Sequence, residues 1–114
     1  MKIIMTHRFK KYYLKHLEKY FSPHQVCEYL KKKEHTFITL TFPYFKFKIT
    51  INGVSFRGVG IIIQTEKIIP LLIFLKKDKK HGENIKWNLI ENEILQEYSH
   101  ALEDIKKGSY TVFE

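Results

Sequence analysis

Lys46, Lys48 and Arg57 are the residues whose type and spacing offer chemistry. In the segment Tyr44–Ile51 the odd positions Phe45, Phe47, Ile49 and Ile51 are apolar, while Tyr44, Lys46, Lys48 and Thr50 are polar or amphipathic. Strand side chains alternate faces with period 2, so both lysines leave the sheet on one side and a hydrophobic core is expected on the other. Asn52-Gly53 follows, a hairpin signal because both residues tolerate the positive φ of a type I′ turn. A return strand from about Ser55 then brings Arg57 beside the lysines. Fixed cations on a rigid strand pair suit a polyanion, and preorganised charge of this kind stabilises the charge that develops on a reacting phosphate. The plainer readings are a solvated outer face for the lysines and a cross-strand ion pair for Arg57.

Other constellations carry less. Lys76, Lys77, Asp78, Lys79 and Lys80 form a charge run that reads first as a solvated turn and second as a contact for nucleic acid. His81 and Glu83 close that run and are the nearest candidates for moving a proton. A lysine whose pKa is lowered by its cationic neighbours is a third. The six histidines lack the paired spacing of a metal site, so no metal and no cofactor is expected. Gly58 and Gly60 are not a phosphate loop, since no helix opens after them. They are expected to thin a strand where a ring, Trp87 or another, lies over it.

The elements that must position these residues belong to one domain, since 114 residues suffice for a single core. A hydrophobic content of 44% with 15% aromatic residues describes a packed globule and excludes a disordered tail. The net charge of +8 is unevenly placed: Met1 to Gly60 holds twelve basic residues against Glu18, Glu28 and Glu34. From His81 onward seven acids outnumber Lys86, Lys106 and Lys107. A basic body with an acidic end points to nucleic acid or an acidic protein partner. The single cysteine, Cys27, excludes a disulfide framework, reads as a buried structural thiol and favours the reducing cytoplasm. The N-terminus has no signal-peptide pattern, and the apolar run 68–75 is too short to span a bilayer, so no membrane is expected as a partner.

Residues 2–6 read as a short strand. From about Arg8 to Phe21, Phe9, Tyr13, Leu17 and Phe21 recur at i+4 and predict an amphipathic helix. Ser22 and Pro23 start a second helix reaching about Lys33, which completes a helical hairpin. Strands follow at 36–42 and 44–51, joined or divided at Pro43, and at 56–64 and 67–77. A long helix is expected from Asn84 or Asn88, with Asn88 and Glu91 at capping-box spacing, to Gly108. Its stripe of Trp87, Ile90, Ile94, Tyr98, Ala101 and Ile105, widened by Leu95 and Leu102, packs on the sheet. Its acidic outer side then keeps nucleic acid on the opposite, cationic face. A short strand at 110–113 is the last element. The class is α+β: an N-terminal helical hairpin, an antiparallel sheet of about four strands and a long C-terminal helix.

In this layout, with cations on central strands, the chain resembles the RelE/ParE superfamily of toxins from bacterial toxin–antitoxin modules. It departs from the family in lacking the arginine of the last core strand and a tyrosine close behind it, and in the length of its last helix. The resemblance implies an mRNA-cleaving, metal-independent endoribonuclease that acts at the ribosome and is neutralised by a cognate antitoxin. Lys46, Lys48, Arg57 and Lys77 fall where such members carry their catalytic cations, and His81 and Glu83 where they carry a further proton-transfer group. Lys76, Lys79 and Lys80 would contact RNA. The alternatives are a non-catalytic binder, either a ParE-like gyrase inhibitor or a basic RNA-binding domain, and a structural partner that dimerises through its last helix.

Overall fold

A computed structural model describes residues 1–64, 66–77 and 86–114. The strands are β1 Lys2–Thr6, β2 Ile38–Thr41, β3 Tyr44–Ile51, β4 Val54–Ile63, β5 Lys67–Leu75 and β6 Tyr110–Phe113. The helices are α1 His7–Tyr12, α2 Pro23–Lys32 and α3 Trp87–Lys107, with short 3-10 turns at Leu14–Leu17 and Glu34–Thr36. The class is α+β with a C-terminal helix, and the sheet is mixed, six strands in the order β2-β3-β4-β5-β1-β6. The expected four antiparallel strands describe only its β2 to β5 part. After β1 the chain crosses to the far edge and returns by a four-strand meander, so β5 arrives beside β1 running parallel to it. β6 then pairs antiparallel with β1 on the outside. Strand patterning cannot reveal that final neighbour, because parity is set by how many strands the meander contains.

The N-terminal hairpin also needs correction. The expected helix from Arg8 to Phe21 stops at Tyr12, capped at its start by Thr6, whose hydroxyl accepts the Phe9 N–H at 3.2 Å. Leu14 and Leu17 are buried beside Phe9 and Phe21. A 3-10 turn, with three residues per turn, aligns Leu14 with Leu17, whereas a continuous α-helix would have presented Tyr13. The second helix starts as expected: the Ser22 hydroxyl accepts the Gln25 N–H at 3.2 Å and the Gln25 side chain accepts the Ser22 N–H at 2.7 Å. Both orphan donors are thereby satisfied. α3 starts at Trp87 with Lys86 as N-cap and no side-chain cap, so Asn88 lies inside the helix; Asn84 lies outside the described residues. Its end is as expected, with Gly108 at φ 73° and the Ser109 N–H reaching the Asp104 carbonyl at 2.8 Å.

Both faces of the sheet are buried. On one, Phe45, Phe47, Ile49, Phe56 and Ile73 meet Phe9, Leu14, Leu17, Phe21, Val26 and Leu30 of the N-terminal layer. On the other, Tyr44, Val59, Ile61, Ile69, Leu72 and Phe74 meet Ile90, Ile94 and Ala101 of α3. β5 accordingly reads as an unbroken apolar run, as a strand covered on both sides must. Pro70 sits in this central strand where the β4–β5 register shifts, opposite Gly60, the bulge being where a ladder tolerates a missing donor. β2 is an edge strand in which Leu40 packs against the α3-side core while Ile38 is 57% exposed, and Phe42, just past the strand, is 79% exposed.

The candidate cationic site

The alternation read in β3 holds on its odd side: Phe45, Phe47 and Ile49 are buried, whereas Lys48 and Thr50 are exposed and Lys46 is half-buried. The turn holds too, Asn52 and Gly53 having φ of 51° and 79°. In the resulting register Lys48 stands directly opposite Arg57 and Lys46 opposite Val59. Directly paired residues share a face, so the three cations form one cluster on the even side of the sheet. Lys46 has Ile38 of β2 on its other flank, and Phe74 of β5 flanks Arg57.

The even side is nevertheless not the free face that the alternation implies. α3 packs on it, and Tyr44 is buried against Trp87 and Tyr98, with ring centroids 5.1 and 6.1 Å away. Burial, with Tyr98 adding to it, raises the Tyr44 phenol above its usual pKa. The helix and the cations therefore share one face, and the expectation of a cationic face opposite the acidic helix is overturned. The pattern of β3 could not show this, because a face that is apolar at one end and charged at the other still alternates.

The ion-pair reading of Arg57 finds no support. Among the described residues the salt bridges are Lys2–Glu114, Arg8–Glu97 and His24–Glu28, and none involves Lys46, Lys48 or Arg57. The Arg57 Nε is buried and makes no hydrogen bond among the described residues. The two glycines of β4 shape the odd side beneath: a Cβ on Gly58 would lie 2.6 Å from the Leu72 carbonyl and run into the Phe47 ring. One on Gly60 would lie 2.8 Å from the Phe45 ring. The strand is thus thinned under phenylalanines, and Trp87 packs on the other face.

Lys76 and Lys77 follow β5, the Lys76 N–H donating to the Ser55 carbonyl at 3.0 Å, which ties this end to the start of β4. His81, Glu83, Lys79 and Lys80 lie outside the described residues. Lys77 lines a cleft of about 440 Å³ together with Tyr12, Tyr13, His16 and Phe74. Sequence reading missed Tyr12 and His16 here, because a continuous helix would have spread them over a solvated side. A larger cleft, about 920 Å³, lies between α1 and the start of α2 and carries Lys11, Lys15 and Lys19. It belongs to the N-terminal layer, on the side of the sheet away from Lys48 and Arg57.

One charged contact links the two layers at the other end. Glu97, 7% exposed, accepts from the Arg8 guanidinium at 2.9 and 3.0 Å, and the Asp104 carboxylate accepts the Arg8 backbone N–H at 2.7 Å. The bond to Glu97 raises the Arg8 pKa against the opposing effect of its partial burial. Burial, reinforced by Glu97, pushes the Tyr13 phenol well above its usual range. No group of three or more His, Cys, Asp or Glu able to hold a metal ion occurs among the described residues, and no helix there is long and apolar enough to cross a membrane. Comparison of the chain with protein-family models, curated proteins and solved structures finds no match.

Proposed function

We propose that this chain is a RelE-like toxin of a toxin–antitoxin module, a metal-independent endoribonuclease that cleaves mRNA at the ribosome and is restrained by a cognate antitoxin. The observation that carries the proposal is the direct opposition of Lys48 and Arg57, with Lys46 beside them and no carboxylate paired to any of the three among the described residues. Like charges placed opposite one another in a ladder destabilise it. A bound polyanion offsets that repulsion. The order of elements, two helical segments and then an antiparallel meander carrying the cations, supports the same reading.

The chemistry asked of such a site is transesterification. The 2′-oxygen of the RNA attacks the adjacent phosphorus, its proton passing to a base, while the bond from phosphorus to the 5′-oxygen breaks and that oxygen takes up a proton. A cyclic phosphate and a free 5′-hydroxyl result. Lys46, Lys48 and Arg57 hold the scissile phosphate and stabilise the charge that grows on its oxygens, the arginine with a fork matched to phosphate geometry. Lys77, His81 or Glu83 carries the proton transfers.

Expression of the free chain tests this. Growth arrest with new mRNA 5′ ends is the expected result. Normal growth with intact transcripts, from demonstrably folded protein, sinks the ribonuclease reading, and arrest with intact mRNA but altered DNA supercoiling moves it to a gyrase inhibitor.

A further inference from the structure

We infer that the cleft formed by Tyr12, Tyr13, His16, Phe74 and Lys77 receives a base of a single-stranded nucleic acid whose phosphates lie on Arg57 and Lys48. The inference rests on the proposed function for the identity of the polyanion, and adds to it a base subsite. β5 pairs with β1 only at Lys67 and Ile68, so its second half runs on past the end of that pairing. There α1 and the 3-10 turn close over it and leave a space of about 440 Å³, room for one base and part of its sugar.

The cleft continues the cation cluster. Phe74 is the β5 neighbour of Arg57, and Arg57 is the β4 neighbour of Lys48. Each step is one strand spacing, about 4.8 Å, so Phe74, a core ring only 7% exposed, floors the cleft next to the Arg57 strand position, with Lys48 one strand further on. Lys77 adds a cation at the cleft itself. Tyr12 is 48% exposed, and its ring is held by the Arg8 guanidinium 3.9 Å from its centroid, a cation–π contact that fixes the ring in advance of any ligand. Exposed His16 supplies a second ring to the same wall.

Alternating cations and rings are how proteins take up single strands: the backbone follows the charge and successive bases stack on the aromatic faces. A duplex already stacks its own bases, so this arrangement selects an unpaired strand. Stacking of this kind accepts any base, so the subsite contributes affinity and placement without reading sequence.

The test uses the full-length chain, a single-stranded RNA octamer and the same octamer with abasic sites, with fluorescence anisotropy as readout. Tyr12→Ala and His16→Ala, both at exposed positions, are each expected to weaken binding of the intact octamer roughly tenfold and to leave the abasic octamer unchanged. Tyr12→Phe is expected to bind as the parent does. Lys48→Ala with Arg57→Ala should weaken both octamers alike. If Tyr12→Ala and His16→Ala weaken both probes equally, or neither, the base subsite is overturned while the proposed function stands. If the parent protein binds neither octamer, the proposed function itself falls.

Discussion

Lys48 and Arg57 face each other across the β3–β4 ladder, two residue pairs before Thr50 and Ser55, whose hydroxyls hydrogen-bond at 3.2 Å. The strand end on the turn side of the two cations is therefore held twice at Ser55, by that bond and by the Lys76 N–H on the Ser55 carbonyl. Repulsion between them is built into a rigid part of the sheet, and the side chains have no acidic neighbour in the ladder to relieve it.

Replacing these cations should separate stability from activity. Lys46→Ala with Lys48→Ala is expected to abolish RNA cleavage while changing stability by no more than about 0.5 kcal/mol, as for other substitutions away from the core. Arg57→Ala should cost more activity than single replacement of Lys76 or Lys77, because a guanidinium on a strand presents its fork already oriented. Loss of the thermal unfolding transition in the double lysine variant contradicts the placement of those side chains. Equal, small losses of activity at every lysine and at Arg57 indicate diffuse attraction in place of a site.

The Arg8–Glu97 pair is expected to behave as a structural bond between α1 and α3. Glu97→Ala leaves the guanidinium without its two acceptors. Breaking a fully buried pair costs about 3–5 kcal/mol; with the Arg8 side chain 26% exposed, about 2 kcal/mol is expected here. Urea denaturation reads it, and a Glu97→Ala protein as stable as the parent contradicts the bond.

Cys27 should be inert in the native protein. Burial pushes its thiol from an ordinary value of 9.0 up to about 12, outweighing the nearby Lys31 and Lys10. Because the folded pKa is raised, the unfolded chain gives up this proton first. The associated stability is complete below about pH 9 and declines as pH rises toward 12, with Tyr13 adding to the decline. A thiol reagent at pH 8 is expected to titrate the cysteine only in denaturant, and Cys27→Ala should flatten part of the alkaline loss. Rapid labelling of the native protein contradicts this burial.

Gly58 and Gly53 should respond differently to alanine. At Gly58 the new methyl meets the Phe47 ring and the Leu72 carbonyl, and a loss of about 2–3 kcal/mol is expected from overpacking. At Gly53 the space is open but φ is +79°, so only the backbone penalty of about 1 kcal/mol remains. Thermal melts of the two variants give the comparison. A Gly58→Ala protein as stable as the parent contradicts the close approach of β3 and β5 side chains and backbone to β4.

Much of this architecture is legible in the chain. The Phe45–Phe47–Ile49 alternation, the Asn52-Gly53 turn, the Ser22-Pro23 start and the Gly108 stop all rest on local backbone preference, and local preference prevails at each. What is not legible depends on distant partners. Parallel pairing of β1 with β5 follows from the crossover of the whole meander. The break after Tyr12 is decided by which of Tyr13 and Leu14 the sheet buries. Coverage of the cationic face by α3 is decided by where that helix lands, a question period 2 cannot answer. The same gap hid the cleft, since Tyr12 and His16 meet Phe74 and Lys77 only in the folded chain. His81 and Glu83, proposed for proton transfer, lie outside the described residues and are tested best by activity.

The most direct measurement of the cationic site is the salt dependence of single-stranded RNA affinity for the parent chain and for the variant with Lys46, Lys48 and Arg57 all replaced by alanine. Each phosphate engaged on a single strand contributes about −0.7 to the slope of log affinity against log salt. If the three cations each hold a phosphate, the variant's slope is shallower by about 2 and its affinity at low salt is correspondingly weaker. An unchanged slope in a folded variant contradicts the account, and assigns RNA attraction to the lysines elsewhere on the surface.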